Sequence, residues 1–361
     1  MPGFIFTYLK INSYPFVGII YILLTLMILL FTFILGFTIY KRRIEYNKKK
    51  WQQNIAMIIS EALFFTEEEP GDITYKNKKL LHNPMFRNSV INELVQTKKN
   101  LSGESNLSLK NLYENLELNK DSFKKLHNIK WHIKAKGILE LGMMEQIKYV
   151  KEIFRLTNDA NELVRNEAQC ALVSFYGFPG LRFLNVTEYP ISQWQQIQLL
   201  NKLNDVKPEN FDAIKKWLQS PNESVVTFSL KLATSYNCYD VYNDVINRLQ
   251  SASQQVKLTA LEYLKKMPQE DTADQIIHHF FSENKLCKLA VITALKEIGS
   301  EKQVSFLLKN LHDEDDDIKA AAAKSLSYLH PLGAEFLHTH LFADEHPWKA
   351  IFLHITNERA A

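Results

Sequence analysis

Apolar residues recur every 31 positions in the C-terminal part of the chain, and this period constrains the fold more than any other feature. One set of such residues consists of Val225, Val256, Cys287 and Ile318. A second set with the same spacing consists of Leu218, Leu249, Phe280 and Leu311. A fixed period of this length indicates a repeat architecture in which each repeat contributes one supersecondary unit.

The content of each repeat fits a pair of antiparallel helices. Two helices of about twelve residues and two short turns account for the period. In the first helix of each pair, residues four and eight positions after the first marker lie on the same helical face, as Ala260 and Leu264 do after Val256. A single pair cannot bury that face, so neighbouring pairs must stack. The sequence predicts an all-α protein with an α-solenoid of about six two-helix repeats over residues 129–345.

The repeat pattern extends backwards but is interrupted once. Val164 and Ile133 keep the spacing of 31, whereas around Trp194 the register is shifted by one or more residues. Aromatic and basic residues gather near this point, and an irregularity in a regular array is where a solenoid often bends or receives a ligand. A longer loop packed by its own aromatic side chains is the other interpretation. The candidate partner residues here are Phe178, Arg182, Tyr189 and Trp194.

The repeats resemble a known family. Glu162-Leu163-Val164-Arg165 with Ala168, and Asp315 to Lys319 with Ala322, are similar to the short bacterial HEAT repeat of the phycobilin-lyase type, over roughly residues 130–340. The resemblance implies an acidic cap on each first helix and a ladder of basic residues between repeats. The ladder positions are Arg165, Lys257, Lys288 and Lys319, while Val226 departs from the pattern. The motif is degenerate, so it bears on the fold and hardly on the activity.

A membrane-spanning helix is predicted at residues 16–40, where no residue is charged. Twenty-five helical residues extend about 37 Å, which exceeds the hydrocarbon thickness of about 30 Å. A cleaved signal peptide fits less well, because the run is too long, no small-residue cleavage site follows it and the basic residues come after it. Only Lys10 precedes the run. Six basic residues follow it: Lys41, Arg42, Arg43, Lys48, Lys49 and Lys50.

These charges predict the orientation. Basic residues are retained on the cytoplasmic side, so residues 1–15 form a short extracytoplasmic N-terminus and the rest is cytoplasmic. The prediction is a single-pass protein of the cell membrane, typical of a bacterial inner membrane, whose anchor contacts lipid. The basic cluster either serves only as this topology signal or also holds anionic headgroups.

Residues 41–128 form a region without repeats. Ile55, Ile58 and Ile59 share one helical face, and this segment either continues the membrane helix or lies along the bilayer; packing on the first repeat helices is favoured. Further helices are predicted near Asn83–Lys98 and Ser105–Leu118. Residues 346–361 are a C-terminal tail.

Charge and motifs exclude several functions. Residues 1–158 carry a net charge of +9 and residues 159–361 a net charge of −6, which argues against nucleic acid as a partner of the repeats. The three Cys residues are isolated, so neither a disulfide framework nor a paired-Cys zinc site is predicted. The acidic run 313–317 is best explained as a helix cap, and a metal site at His338, His340 and His346 is disfavoured. No metal, cofactor or catalytic residue is predicted.

The leading hypothesis is therefore a non-enzymatic scaffold that binds a protein partner through its second helices. From helical phase, Lys215, Arg248 and Lys309 are candidate partner residues there. The chain also resembles uncharacterised membrane-anchored bacterial HEAT proteins, some of which are thought to neighbour membrane glycosyltransferases; this resemblance implies a membrane-associated partner. The alternative is a HEAT-like enzyme of the lyase type or of the DNA-base-repair type.

Overall fold

The computed structural model describes residues 3–64, 78–101, 105–203, 211–280 and 284–329, with a few isolated positions near the C-terminus. Every regular element in these ranges is helical, which confirms the predicted all-α class. The chain divides into two compact units, Met1–His127 and Asn128–Ala361. The candidate residues His338, His340 and His346 and most of the predicted tail lie outside the described residues.

The first unit begins with one long helix, α1, which runs without interruption from Gly3 to Phe64. Its 62 residues correspond to a length of about 93 Å. Helix α1 therefore begins well before the predicted span 16–40 and continues past it. Its most apolar window has a mean hydropathy of 2.8 and is not buried in the protein. By length and composition, α1 is able to cross a membrane.

The remaining helices of the first unit cover the C-terminal part of α1. They are α2 (Lys78–Leu81), α3 (Pro84–Asn100), α4 (Ser105–Asn115) and α5 (Leu118–Leu126). Ile55, Ile58 and Ile59 are buried, and α1 packs against α3 and α4. We expected the first repeat helices as the partner of this face; its partners here are these non-repeat helices. Helix α4 ends three residues before Leu118, because Glu117 adopts a left-handed backbone with φ of 53°.

The second unit consists of helix pairs stacked in sequence order. Its α-helices are α6 (Trp131–Met143), α7 (Val150–Arg155), α8 (Glu162–Tyr176), α9 (Gln193–Leu203), α10 (Asp212–Leu218), α11 (Glu223–Ser235), α12 (Tyr242–Arg248), α13 (Gln254–Lys266), α14 (Thr272–His278), α15 (Lys285–Ile298), α16 (Val304–Asn310) and α17 (Asp316–Leu329). A 3₁₀ helix, Phe178–Asn185, stands between α8 and α9. The first helices of the repeats are α6, α8, α9, α11, α13, α15 and α17. Within the described residues these make six complete pairs and one further first helix, in agreement with the prediction of about six repeats.

The residue before each first helix marks the true register of the array. These positions are Lys130, Asn161, Ser192, Asn222, Ser253, Asn284 and Asp315. They are 31 residues apart except from Ser192 to Asn222, where the spacing is 30. Where the cap is Asn, its side chain accepts hydrogen bonds from the first backbone N–H groups of the helix, as Asn284 Oδ1 does from Cys287 N at 3.0 Å. A deletion of one residue thus explains the shifted register near Trp194.

The second helices are shorter than the predicted twelve residues. Helices α10, α12, α14 and α16 have seven residues each. After α11, Asn237 adopts a φ of 51° and the N–H of Cys238 donates to the carbonyl of Ala233 at 2.9 Å, which reverses the chain. A 3₁₀ turn, Tyr239–Val241, then precedes α12. The turn therefore takes residues that the prediction assigned to the helix.

The core of the second unit lies between the two layers of helices. Both sets of periodic residues are buried, with Val225, Val256 and Cys287 facing inward from the first helices and Leu249 and Leu311 from the ends of the second. Burial of Cys287 agrees with its interpretation as a small apolar residue. Burial of apolar area on this scale is the main stabilising contribution to such an array.

Candidate interaction surfaces of the repeat unit

A stripe of aliphatic side chains runs along the second helices. Ile246, Ile277 and Leu308 are half-buried and occupy equivalent positions in three successive repeats, each three residues before a buried marker. We call these three residues the second-helix stripe. Equivalent residues on neighbouring helices of a solenoid lie about 10 Å apart, so the stripe forms one continuous line.

A polar row flanks this stripe. It consists of Lys216, Asn247, His278 and Lys309, which are exposed and equivalent in four successive repeats. The predicted partner residue Lys309 belongs to this row. Lys215 and Arg248 are half-buried, and Lys215 takes the stripe position in the repeat where the aliphatic residue is missing. The sequence analysis missed the stripe itself, although the same period of 31, applied three residues before each marker, finds it.

The irregular repeat places a glutamine where the other repeats have an apolar marker. Gln195 is fully buried, whereas Trp194 is 65% exposed. Gln195 lies 31 residues after Val164, and Trp194 lies 31 residues before Val225. Counting backwards across the deletion therefore points to the wrong residue. Trp194 is a surface residue of α9, and Gln195 is its core residue.

Gln195 joins a small buried polar network between α8 and α9. Its Nε2 donates to the carbonyl of Asn166 at 3.2 Å and to Oε1 of Gln169 at 3.3 Å. Gln169 in turn donates to the carbonyl of Thr157 at 3.1 Å. Within the described residues, Oε1 of Gln195 is buried without a hydrogen-bond partner. A buried polar atom without a partner costs about 1–3 kcal/mol, so this interface is less stable than an apolar one of equal area.

Cys170 lies beside this network. Its Sγ is 3.8 Å from Nε2 of Gln195. Burial raises the pKa of the Cys170 thiol to about 11, which opposes ionisation at neutral pH. This agrees with the expectation that Cys170 is not a nucleophile.

The 3₁₀ helix Phe178–Asn185 replaces a second α-helix and packs closely on α8. A Cβ atom at Gly180 would stand 2.3 Å from the carbonyl oxygen of Leu172, so only glycine fits there. Phe178 is 6% exposed, and its ring centroid lies 5.8 Å from that of Trp217 and 5.9 Å from that of Tyr236. The candidate Phe178 is therefore a core residue, and the interpretation of a segment packed by its own aromatics applies to it.

The other candidates near the irregular repeat reach the surface. Tyr189 is 38% exposed, with the guanidinium of Arg165 4.2 Å above its ring centroid. Arg182 is exposed, and its guanidinium is 5.9 Å from the ring centroid of Tyr176. Cation–π stacking fixes both pairs. With Trp194, these residues leave aromatic surface exposed on this part of the unit.

The basic ladder positions differ in their contacts. Arg165 donates to the carbonyls of Asp159 and Ala160 at 2.8 and 3.0 Å, in the turn before its own helix. Lys319 pairs with Asp316 of the same helix at 2.8 Å. Contacts between repeats come from other lysines. One is Lys134, on the position before Arg165 in the ladder, which pairs with Asp159 at 2.9 Å.

The acidic run 313–317 works as a cap that is tied to the preceding repeat. Oδ1 of Asp315 accepts from the N–H of Asp317 at 2.9 Å, and Lys285 pairs with Asp315 and Asp317 at 2.6 Å each. The hydrogen bond from Lys285 lowers the pKa of Asp315 below its ordinary value. The described residues contain no group of three His, Cys, Asp or Glu side chains arranged to hold a metal ion.

The topology residues lie on the continuation of α1 past the apolar segment. Lys41, Arg42, Arg43, Lys49 and Lys50 are exposed in the structure.

The comparisons with known proteins agree with this geometry. The family of HEAT repeats matches residues 242–327, from the start of α12 to near the end of α17. The second unit is a HEAT-like α-solenoid, a fold that typically serves as a non-catalytic interaction scaffold. Among solved structures, the crystal structure of an engineered protein is 12% identical and aligns over 84% of this chain and 88% of that chain, with a TM-score of 0.34. No curated protein matches the chain.

Proposed function

We propose that this protein is a membrane-anchored scaffold whose HEAT-like repeats bind a protein partner on the cytoplasmic side. Helix α1 supplies the anchor, with residues 1–15 outside and the basic residues after Tyr40 inside. The second-helix stripe supplies the binding surface, together with its polar row. The one observation that carries this proposal is the half-exposure of Ile246, Ile277 and Leu308 in register.

The stripe has the composition of a binding surface. A line of aliphatic side chains offers apolar area to a partner, and exposed polar residues along its edge match the usual arrangement of an apolar centre with a polar rim. Its regular spacing of about 10 Å suits an elongated partner that contacts several repeats at once. Exposed Lys309 and half-buried Lys215 and Arg248 favour an acidic partner segment.

Tethering adds to this surface. A partner that is itself in the membrane meets the repeats at a high effective concentration, so modest affinity is sufficient for capture. A membrane enzyme such as a glycosyltransferase is the kind of partner that the resemblance to other anchored HEAT proteins favours. No catalytic role for the repeats is part of this proposal.

The test is affinity purification of the full chain from native membranes, followed by mass spectrometry. The stripe variant carries Ile246→Lys, Ile277→Lys and Leu308→Lys. A matched control carries Leu286→Lys and Tyr239→Lys, which are more exposed apolar residues of the same repeats outside the stripe. We expect the stripe variant to lose the partner at least about tenfold, since hot-spot losses of 2 kcal/mol or more are typical of interface centres. The control should retain it. Equal capture by both variants, with the helical content of wild type, would refute the proposed surface.

A further inference from the structure

A groove in the first unit lies between α1 and α3. It is lined by Ile44, Asn47, Trp51, Met85, Asn88, Ser89 and Asn92, and its volume is about 190 Å³. Since one water occupies about 30 Å³ of liquid, the groove has room for a group of roughly six non-hydrogen atoms. Its walls are half polar, and none of its lining residues is charged.

The position of the groove along α1 places it at the membrane surface. Tyr40 is the last residue of the uncharged segment, and Ile44 and Asn47 follow it by about 6 and 10 Å along the helix axis. The polar headgroup layer extends about 5–8 Å beyond the hydrocarbon on each side. With a modest tilt of α1, the near end of the groove therefore lies among lipid headgroups.

The surroundings of the groove are cationic. Lys41, Arg42, Arg43, Lys49 and Lys50 on α1 are exposed, and none of them forms an ion pair or a hydrogen bond with another described residue. Glu45, the acidic residue of this stretch, is about 100° around the helix from Ile44. An anionic headgroup is thus attracted to this part of α1, and a headgroup that ends in an ammonium group is disfavoured.

The polar lining offers donors and acceptors for hydroxyl groups. Nζ of Lys125 donates to Oδ1 of Asn88 at 2.7 Å, which turns the amide of Asn88 so that its NH₂ group is available. In the described part of the chain, the side-chain amides of Asn47 and Asn92 have no hydrogen-bond partner. An amide both donates and accepts, as a polyol requires.

We propose that this groove binds the headgroup of an anionic phospholipid whose headgroup carries free hydroxyls, such as phosphatidylglycerol. The glycerol portion enters the groove between Asn47, Asn88 and Asn92, and the phosphate lies near the cations of α1. This inference rests on the proposed membrane anchoring and names the lipid that α1 selects. It gives the first unit a role of its own, in fixing the depth and rotation of the anchor.

The experiment counts the lipids that the full chain retains after transfer from mixed phosphatidylglycerol and phosphatidylcholine vesicles into detergent, by native mass spectrometry. The groove variant is Asn47→Leu with Asn92→Leu, which leaves the net charge unchanged. The matched control is Gln53→Leu with Gln96→Leu, exposed amides on the same two helices. We expect one phosphatidylglycerol on wild type and control, and binding about 30-fold weaker in the groove variant, the effect of losing two net hydrogen bonds.

Retention of phosphatidylglycerol by the groove variant, or equal retention of phosphatidylcholine by wild type, would overturn the inference. A photoactivatable phosphatidylglycerol on wild type gives a reading that does not depend on the variant's folding: labels should map to residues 44–51 or 85–92, and labels only elsewhere count against the groove. If alkaline carbonate releases the chain from membranes, the proposed anchoring fails. An inserted chain without selective lipid contradicts the groove alone.

Discussion

The regular repeats from α11 to α17 and the irregular repeat that begins with α9 share one register but bury different chemistry. In the regular repeats the marker is Val225, Val256, Cys287 or Ile318, all buried. In the irregular repeat it is Gln195, equally buried, with one polar atom unpaired among the described residues. A fully buried position therefore tolerates an amide here, provided that a neighbouring helix supplies acceptors for its N–H groups.

The difference shows that the caps, and not the identity of the marker, hold the register of the array. Ser192 begins α9 at the same place in the repeat as Asn161 begins α8, although the chain before it forms a 3₁₀ helix. The stability of the array is then uneven. Apolar burial dominates in the regular repeats, while the irregular repeat relies on a polar network and on aromatic packing. Three predictions test this contrast.

Removal of a buried aromatic ring from the 3₁₀ segment should have the largest effect. Phe183 is fully buried, and Phe183→Ala should lower the free energy of unfolding by about 3–5 kcal/mol. Because repeats interact with their nearest neighbours, we expect the loss to be local. Hydrogen exchange of the full chain should accelerate in α8 and α9 and remain close to wild type in α15 and α17.

Phe228→Ala is the matched comparison, since Phe228 is equally buried in a first helix of the regular repeats. It should destabilise by a similar amount, with the faster exchange centred on α11 and α13. Uniform acceleration over all repeats in either variant would show one cooperative unit and would refute the contrast between the two regions.

The polar network should show strong coupling between its two glutamines. Gln195→Leu alone leaves Oε1 of Gln169 buried without its donor, which should cost about 1–3 kcal/mol. The double variant Gln169→Leu with Gln195→Leu removes both partners and should recover most of that loss. Urea unfolding monitored by the fluorescence of the tryptophans measures each step, and the coupling energy should be about 0.5–3 kcal/mol.

Cys287→Val is the control for the regular repeats, because it exchanges one small apolar marker for the residue that two other repeats use. It should change stability by less than about 1.5 kcal/mol. If the losses of the two single glutamine variants simply add in the double variant, the network does not act as a unit.

The periodic residues predicted the repeats, their number and the buried positions, because burial of an apolar face leaves a direct trace in the sequence. The same reasoning assigned Phe178 to the surface and did not find Gln195. Neither error is visible in composition: Phe178 follows a glycine in a short segment that only tertiary contacts keep in a 3₁₀ helix. Gln195 is polar, and only its neighbour α8 makes it a core residue. The groove between α1 and α3 lies outside the reach of a pattern, since its lining comes from two segments about 40 residues apart.

Acidification should distinguish the two regions with the smallest effect of the three. Lys285 links α15 to the cap of α17, and its hydrogen bond lowers the pKa of Asp315 in the folded protein. A carboxyl whose folded pKa is depressed stabilises the fold above its ordinary pKa, and this contribution is lost as the pH falls through the depressed value. Both partners are exposed, so the contribution is small. After correction for intrinsic exchange rates, protection of α17 should fall below pH 4 more than protection of α9, whose interface with α8 uses uncharged amides. Lys285→Gln should lower the protection of α17 at neutral pH and remove most of its further loss in acid. If that variant responds to acid as wild type does, the ion pair is not the cause.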